Sequence, residues 1–509
     1  MARCYRLTAA AARPMAVGAV LLSLACASVP PAWPGAPGLE ARPRLAGVID
    51  SVVSSPVLAA TSWGIAVLDV ESGTWLARLN AGKHFIPASN TKLVVAAVSL
   101  GVLGPDYRWE TSVWAGAQSG DSVADGLLVI GRGDPTFSRR FRDDDLTVTD
   151  SIADRIAAAG LKRIRGDITI DVSFFGDRTA LGAWEVGDLG WSYAPPIDAF
   201  AIGEGTFSIV MRGGEAQGQP AEVTTIGPPG LQPLRARAVT DTVGARATVD
   251  VDFLDRTDRV IVEGRVAPGV SDTTRLAVVS PAQYAGRALE WALRTRGITV
   301  DGEVIVLRDS AQAATLRSNL HVGYTRIADV ISPPLNDVVG AILRPSQNWI
   351  AEHVLKTLGA ERRGTGGWST GIDVERRYLI DVAGIDSTAF LLRDASGLSP
   401  QNLMTPDMVI ALLEHARSSP WRDRFVEALP GPGMEDSTLE NRLRELDGRL
   451  RAKTGSITNV NSLSGYITDT DGRTLAFSIL TNGSGVSSAV VRQGIDRIVL
   501  AIAREGQGQ

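Results

Sequence analysis

The chain has 509 residues, of which 44% are hydrophobic and 21% are charged, and its formal net charge is −5. This is the composition of a folded globular protein, and it excludes disordered, collagen-like and polytopic membrane classes. The mild negative charge is unlike that of a nucleic-acid-binding protein, so no nucleic-acid partner is expected. At roughly 100–200 residues per domain, the length predicts two to four domains.

The first 27 residues have the pattern of a cleaved export signal. Arg3, Arg6 and Arg13 form a basic start, residues 15–24 are almost wholly apolar, and residues 25–27 (Ala-Cys-Ala) match a cleavage site. Cleavage would place the mature protein in the periplasm or cell envelope, and an uncleaved anchor is the alternative. No later segment has 18 uncharged apolar residues, so no integral membrane span is expected after processing.

The two cysteines, Cys4 and Cys26, both lie in this first segment. A mature chain would therefore have neither a thiol nucleophile nor a disulfide. Lipid attachment at Cys26 stays open as an alternative to simple cleavage, although the preceding residues match a lipoprotein signal poorly. None of the four histidines is at metal-ligand spacing from another, so neither a metal nor a cofactor is expected.

Two regions at opposite ends of the chain predict strands of one antiparallel sheet. The predicted strands are residues 63–70, 74–79, 449–457, 463–468 and 473–480. A last helix, at about residues 487–505, has Val491, Ile495, Ile498 and Ile502 on one stripe. This stripe predicts a core helix that lies on the sheet.

Between about residues 118 and 325 the pattern changes to short β-like runs separated by Gly, Pro and Asp, with one clear helix at residues 281–296. This predicts a mostly β insertion of about 200 residues, which is large enough for two small domains. Helical patterning resumes at residues 331–358 and again at residues 406–417.

Lysine is rare in this arginine-rich chain, and one lysine belongs to the single S-x-x-K pattern, at residues 89–92. The pattern opens an apolar helical run at residues 93–100. Since residues i and i+3 share a helix face, the Ser89 hydroxyl and the Lys92 amine are expected to lie within reach of each other. A desolvated lysine can lose its proton and an arginine cannot, which is a physical reason for lysine here. A capping serine followed by a solvated lysine is the alternative for an isolated motif.

Two further patterns also occur once each. Residues 346–348 (Ser-Gln-Asn) follow a helical run at 335–343 and are expected on a loop between two helices. Residues 453–455 (Lys-Thr-Gly) lie on a predicted strand, where a glycine lets a ligand approach the backbone. Alone, each pattern is equally typical of a turn or an edge strand. The ordered trio S-x-x-K, S-x-N, K-T-G is typical of penicillin-binding proteins and class A β-lactamases.

Beyond the trio, the sequence resembles the class C low-molecular-mass penicillin-binding proteins, which are serine-type D-alanyl-D-alanine carboxypeptidases/endopeptidases. Residues 131–135 resemble the G-x-G-D-P turn of this family, residues 332–335 the segment before its second motif, and residues 394–399 its D-G-S-G-L-S stretch. The 256 residues between Ser89 and Ser346 match its domain insertion. The sequence departs from the family pattern at two positions: Gln347 stands in place of the usual Asp, and Ala395 stands in place of a Gly. The change at Gln347 is expected to have little effect on the chemistry.

The resemblance implies an α/β (α+β) transpeptidase-like domain, with a five-stranded antiparallel sheet flanked by helices and a large, mostly β two-domain insertion. The expected divisions are a signal peptide at 1–27, the transpeptidase-like domain at 45–117 and 325–509, insertion domain II at 118–170 and 270–324, and insertion domain III at 171–269.

The resemblance also implies three catalytic roles. Ser89 would be the nucleophile that forms an acyl-enzyme, and Lys92, as a neutral amine, would be the base that takes its proton. Ser346 would relay a proton to the leaving amine.

Five further residues are implied to bind the substrate. Asn348 would hydrogen-bond its amide, Lys453 would keep the site positive, and Thr454 would bind its terminal carboxylate, next to Gly455. The backbone N–H of Ser456 would form the oxyanion hole together with that of the nucleophile.

The implied function is a D-Ala-D-Ala carboxypeptidase, and a D,D-endopeptidase as well, that acts on peptidoglycan stem peptides and is acylated by β-lactams as inhibitors. The alternatives are a serine β-lactamase, a non-catalytic wall-binding protein with a relic site, and transpeptidation as the main role.

Overall fold

The computed structural model describes residues 40–118, 122–252 and 259–505. The predicted signal peptide and Cys26 lie outside these residues. Within them, no helix combines the length and the apolar character that crossing a bilayer requires.

The described segments contain short strands and helices along their whole length. The strands are β1 (Glu40–Ala41), β2 (Ser62–Asp69), β3 (Thr74–Leu79), β4 (Glu110–Gly116), β5 (Val123–Ala124), β6 (Leu127–Ile130), β7 (Arg163–Ile164), β8 (Ile168–Asp171), β9 (Thr206–Arg212), β10 (Glu222–Ile226), β11 (Leu234–Thr240), β12 (Thr248–Asp252), β13 (Val260–Val266), β14 (Ser271–Ala277), β15 (Thr299–Val300), β16 (Val304–Leu307), β17 (Tyr324–Ile331), β18 (Phe390–Leu391), β19 (Leu403–Met404), β20 (Leu450–Ile457), β21 (Val460–Thr468) and β22 (Thr474–Asn482). The helices are α1 (Pro43–Val53), α2 (Lys92–Val102), α3 (Thr147–Ala158), α4 (Pro281–Thr295), α5 (Ser310–Ser318), α6 (Leu320–Gly323), α7 (Leu335–Leu343), α8 (Asn348–Arg363), α9 (Trp368–Arg377), α10 (Pro406–Ser418), α11 (Arg422–Ala428) and α12 (Ser488–Ile502).

The main sheet joins the two ends of the described chain. Its strand order is β1-β3-β2-β22-β21-β20, and every neighbouring pair is antiparallel. The five predicted strands are therefore confirmed, and the two-residue β1 is an additional edge strand that the sequence did not indicate. Strand β2 pairs with β22 along its whole length, from Ser62 opposite Asn482 to Asp69 opposite Leu475.

Helices cover both faces of this sheet. Alternate residues of β2 point to opposite faces, so Ile65 and Val67 belong to one apolar cluster and Ala66 and Leu68 to another. The first cluster holds α1 and α12, and the stripe predicted for the last helix is fully buried there. On the second face α10 packs against β2 and β22, and α2 packs against α7, α8 and α10. The prediction of a core helix on the sheet is confirmed.

The segment between α2 and α7 forms further sheets, and β18 and β19 pair outside it. Strands β4, β6, β8, β16 and β17 make one mixed sheet against which α3 and α4 pack, while β9–β14 make two three-stranded sheets around a small apolar core. The helix predicted at residues 281–296 is confirmed as α4. Strands β4 and β17 pair with each other in this sheet, although β4 lies wholly before the expected insertion border at 118 and all but the first residue of β17 lies after the border at 324. The division into domains II and III stays a prediction.

Candidate active site

The turn that carries Ser89 is held by the main sheet. Ser89 lies in a 3-10 turn, Ala88–Thr91, immediately before α2, which begins at Lys92, so Ser89 precedes the α-helix on whose face it was expected. The Asn90 side chain donates to the backbone oxygen of Lys453 at 2.9 Å, which fixes the turn to β20. Ala88 has a φ of 48°, a left-handed conformation that persists only where the surroundings enforce it.

Two glycines allow this turn to approach its neighbours closely. A Cβ atom on Gly455 would lie 2.9 Å from the Ser89 nitrogen and 2.2 Å from the Ser462 hydroxyl oxygen. A Cβ atom on Gly397, whose φ is +78°, would lie 1.9 Å from the backbone oxygen of Ala88. The Ser89 turn therefore lies between strand β20 and the loop at residues 394–399, with no room for a side chain at Gly455 or Gly397.

The Lys92 amine is completely buried, and its nitrogen lies 2.9 Å from the Ser89 hydroxyl oxygen. It also donates to the Asn348 side-chain oxygen and to the Ser396 backbone oxygen, at 2.6 Å each. Burial lowers the pKa of Lys92 to about 7, although the carboxyls of Asp394 and Glu352 act in the opposite direction. The predicted proximity is confirmed, and the alternative of a solvated lysine is excluded.

The second and third motifs meet at Ser346 and Lys453. Ser346 lies on the predicted loop between α7 and α8, in a left-handed conformation with a φ of 64°. The buried Lys453 amine donates to the Ser346 hydroxyl at 2.8 Å and to the Thr454 backbone oxygen at 2.9 Å. Burial and the nearby Lys92 lower the pKa of Lys453 well below its usual value.

The orientation of the Asn348 amide is fixed by hydrogen bonds at both ends. Its oxygen accepts from Lys92, and its nitrogen donates to the backbone oxygen of Tyr193 at 2.7 Å. Tyr193 belongs to the inserted segment, 155 residues earlier in the chain. Sequence spacing could not indicate this contact.

Gln347 also contacts the inserted segment, which the sequence analysis did not anticipate. Its side-chain oxygen accepts from the Trp349 N–H at 3.1 Å, and its side-chain nitrogen donates to the Glu204 carboxylate. Glu204 in turn accepts from Arg140 at 2.9 Å. An aspartate at position 347 would place a second carboxylate near Glu204, so the departure from the family pattern at this position matches its surroundings.

The cleft in front of these residues has a volume of about 360 Å³. Ser89, Asn348 and Ser456 line it, together with Asp188 and Tyr193 from the inserted segment. The two lysines lie behind its wall, fully buried.

Thr454 does not line this cleft. Its hydroxyl makes a 2.8 Å hydrogen bond to that of Thr438, an exposed residue that the sequence analysis did not select. The structure therefore brings the residues of the three motifs together in space, with Ser89 on the cleft.

Three buried carboxyl groups lie behind Lys92, and the sequence analysis assigned a role to none of them. They belong to Glu352 on α8, Glu375 on α9 and Asp394 on the following loop. One signal was available for Glu352. It follows Asn348 by one helical turn and therefore shares its face of α8, within a run of buried residues.

Comparison with known proteins agrees with this geometry. Residues 45–505 match the D-Ala-D-Ala carboxypeptidase 3 (S13) family. The chain is 34% identical over 465 residues to a D-alanyl-D-alanine carboxypeptidase of Actinomadura sp. (strain R39), an alignment that covers 88% of this chain and 82% of the relative. It is 24% identical over 457 residues to D-alanyl-D-alanine carboxypeptidase DacB of Haemophilus influenzae, covering 87% of this chain and 89% of the relative.

A solved structure shows a similar fold. The crystal structure of penicillin binding protein 4 (dacB) from Haemophilus influenzae matches with a TM-score of 0.78 and 22% sequence identity, over 90% of this chain and 99% of that one. A second structure of that protein, complexed with a β-lactam, matches with a TM-score of 0.75 and 21% identity over the same shares. The predicted fold class, a transpeptidase-like domain with a large insertion, is confirmed. The chain belongs to the D-Ala-D-Ala carboxypeptidase 3 (S13) family of serine peptidases.

Proposed function

We propose that the protein removes the terminal D-Ala from peptidoglycan stem peptides that end in D-Ala-D-Ala, through an acyl-enzyme on Ser89. One observation carries this proposal. The fully buried Lys92 amine, with a pKa of about 7, lies 2.9 Å from the Ser89 hydroxyl oxygen. A substantial fraction of this lysine is therefore neutral at pH 7 and can act as a base.

In the acylation step, the Ser89 oxygen attacks the carbonyl carbon of the D-Ala-D-Ala bond, and its proton passes to the neutral Lys92 amine. Asn348 supports this transfer because its side-chain oxygen accepts from the same amine at 2.6 Å. The negative charge that develops on the carbonyl oxygen is stabilised by the backbone N–H groups of Ser89 and Ser456, an arrangement worth about 3 kcal/mol per donor.

Collapse of the tetrahedral intermediate breaks the C–N bond and releases D-Ala. The leaving nitrogen takes a proton from the Ser346 hydroxyl, which accepts a hydrogen bond from Lys453 and can therefore direct its own proton elsewhere. The proton that Lys92 took from Ser89 restores the one that Ser346 gives up. Water then attacks the ester with Lys92 again as the base, and the proton that Lys92 takes from the water passes to the Ser89 oxygen as the ester C–O bond breaks and the shortened peptide leaves.

The strand that carries the K-T-G motif is proposed to bind the carboxylate end of the substrate. The substrate is proposed to extend along β20 from Ser456, which lines the cleft, to Thr454 outside it. There Thr454 binds the terminal carboxylate beside the buried Lys453 and the Thr438 hydroxyl. Gly455 keeps the strand flat against the nucleophile turn, where a side chain would collide. The same acyl transfer on a D-Ala amide within a cross-link is the endopeptidase reaction, so we include that activity in the proposal.

β-Lactams are proposed as inhibitors that acylate Ser89, because their strained amide presents a carbonyl to the same nucleophile. We also propose that the enzyme is exported to the periplasm or cell envelope, where its substrate is found. The basic, apolar and small-residue pattern of residues 1–27 supports the export.

Mass spectrometry of the intact protein after incubation with benzylpenicillin tests the nucleophile. The wild type is expected to form one adduct on Ser89, and Ser89→Ala to form none. Ser99→Ala is the matched control, because Ser99 is a buried serine further along the same helix, with its hydroxyl bonded to the Ala96 backbone oxygen. Adduct formation by Ser89→Ala at the wild-type level would place the nucleophile elsewhere.

Two further measurements separate the alternatives. Release of D-Ala from a synthetic D-Ala-D-Ala peptide distinguishes a peptidase from a non-catalytic wall-binding protein. The lifetime of the penicilloyl adduct distinguishes a peptidase, in which it lasts for minutes to hours, from a β-lactamase, in which it is hydrolysed at once. The same mass spectrum reports the mature N-terminus and so tests the export signal.

A further inference from the structure

The backbone that faces Lys92 is held from behind by a buried carboxylate. The Ser396 backbone oxygen accepts from the Lys92 amine at 2.6 Å. On the opposite side, one carboxylate oxygen of Glu352 accepts the backbone N–H groups of Ala395 at 3.1 Å and Ser396 at 2.7 Å. Glu352 therefore determines where the carbonyl that orients the amine is placed.

Asp394 completes this arrangement. Its carboxylate accepts the backbone N–H of Gly397 at 2.9 Å. That N–H belongs to the same planar trans peptide unit as the Ser396 carbonyl, so the two groups point in opposite directions. The peptide unit consequently lies between the Asp394 carboxylate and the Lys92 amine.

We propose that Glu352 is a positioning residue for the acylation reaction: it fixes the Ser396 carbonyl against which the Lys92 amine is oriented, and it keeps a negative charge close to that amine. This inference rests on the proposed role of Lys92 as the base for Ser89. Glu352 does not touch the substrate and acts only through the backbone and through its charge.

The hydrogen bonds of Glu352 favour its ionised form. Its two oxygens accept from Ala395, from Ser396 and from the Trp368 indole nitrogen at 2.8 Å, and all of these partners are N–H donors. Donors of this kind stabilise a carboxylate, whereas burial and the nearby Asp394 act in the opposite direction and raise the pKa of Glu352 to about 7, so the ionised form predominates above neutral pH.

The other ionisable groups of this region are consistent with that charge state. Asp394 accepts four hydrogen bonds, from Trp184 and Asn402 and from two backbone N–H groups. Glu375 differs, because neither of its oxygens has a hydrogen-bond partner among the described residues. Burial raises the pKa of Glu375 well above its usual value, so the protonated form of Glu375 is strongly favoured.

Two buried lysines complete the surroundings. Lys356 lies close enough to Glu352 for its charge to be felt, but its own ion pair is with Asp177, at 2.6 Å. Lys453 lies near Lys92, and the charge of Lys92 adds to the effect of burial in lowering the pKa of Lys453. A negative charge at Glu352 acts on Lys356 and on Lys92, and at Lys92 it opposes, together with Asp394, the effect of burial on the pKa.

The test compares Glu352→Gln, Glu352→Ala and Glu375→Gln with the wild type. The second-order rate of acylation by benzylpenicillin is measured from pH 5 to 9, and each adduct is located by mass spectrometry. Glu352→Gln keeps one oxygen for the two backbone N–H groups but removes the charge. Loss of a nearby negative charge lowers the pKa of Lys92. The acid limb of the pH–rate profile, where the rate falls as Lys92 becomes protonated, is therefore expected to shift to lower pH by about one unit.

Glu352→Ala removes both the charge and the hydrogen bonds. Its plateau rate is expected to fall by about 100-fold, since a displacement of about 1 Å at a reacting group costs this much. The conservative Gln variant should recover most of that rate. Glu375→Gln, which exchanges one neutral buried group for another in the same cluster, is the control and should follow the wild-type profile.

An acid limb of Glu352→Gln that coincides with that of the wild type would overturn the inference, because a purely structural role predicts a lower rate without a shifted limb. If Glu352→Ala does not fold, the acid limb of the pH–rate profile of Glu352→Gln still tests the inference. A wild type that forms no adduct on Ser89 would overturn the proposed function itself, and the inference would fall with it.

Discussion

Replacing Gly397 by alanine tests how closely the loop at residues 394–399 supports the nucleophile. Gly397 has a φ of +78°, a conformation that costs an alanine about 1–2 kcal/mol. Gly364, at the end of α8, has nearly the same φ, +77°, but a Cβ atom there would meet nothing within 4 Å. Gly364→Ala is therefore a control that has the same backbone strain without the collision.

The collision at Gly397 is with the nucleophile turn itself. The added Cβ atom would lie 1.9 Å from the Ala88 backbone oxygen and must retreat to at least 3.0 Å. The residue before Ser89, or the loop that orients Lys92, must therefore move by about 1 Å, which is enough to reduce the acylation rate by about 100-fold.

The assay is acylation by a fluorescent penicillin, followed by stopped-flow fluorescence, with urea unfolding measured in parallel. Both variants should lose similar stability from the strained φ, with an additional loss in Gly397→Ala. Only Gly397→Ala should acylate slowly. Equal acylation rates in the two variants would refute the reasoning, since the contact with Ala88 would then have no effect on the reaction.

Three other predictions concern the base and its surroundings. The pKa of Lys92, about 7, predicts that acylation falls about tenfold per pH unit well below pH 7 and levels off above it; a flat profile from pH 5 to 9 would contradict a lysine base. Lys92→Arg should lower labelled-penicillin attachment by about 100- to 10,000-fold at every pH, because arginine does not lose its proton; normal attachment would rule out Lys92 as the base. Gln347→Asp should slow acylation by placing a carboxylate near Glu204, and adding Glu204→Gln should restore the rate; a double variant as slow as the single one would show that their contact is not responsible.

Local patterns predicted the parts of the molecule that depend on local geometry. Helical spacing predicted that the Ser89 and Lys92 side chains lie within hydrogen-bond distance, and this prediction is confirmed even though Ser89 lies in a 3-10 turn. The turn itself was not predictable, because the left-handed Ala88 is imposed by distant residues of the sheet. The five strands of the main sheet were predictable because each has its own apolar run and turn residues.

Contacts between distant segments could not be predicted in this way. Tyr193 and Glu204 reach the second motif only because the inserted segment folds against α8, and no spacing rule connects residues so far apart. Glu352 was overlooked for a similar reason. Its role depends on two backbone N–H groups, those of Ala395 and Ser396, which the fold brings to it from more than 40 residues away.

The pairing of β2 with β22 also bears on when the enzyme becomes active. Ser89 and Lys92 are synthesised early, but the strand that carries Lys453 and the one that closes the sheet come at the end of the chain. A chain that stops before residue 450 contains Ser89 and Lys92 but lacks strand β20, which holds the Ser89 turn in place. Such a high contact order makes folding slow, because long loops must close first. The contacts of Lys453 with Asn90 and Ser346 form only once β20 has been added, so a chain that ends before residue 450 is expected to be inactive.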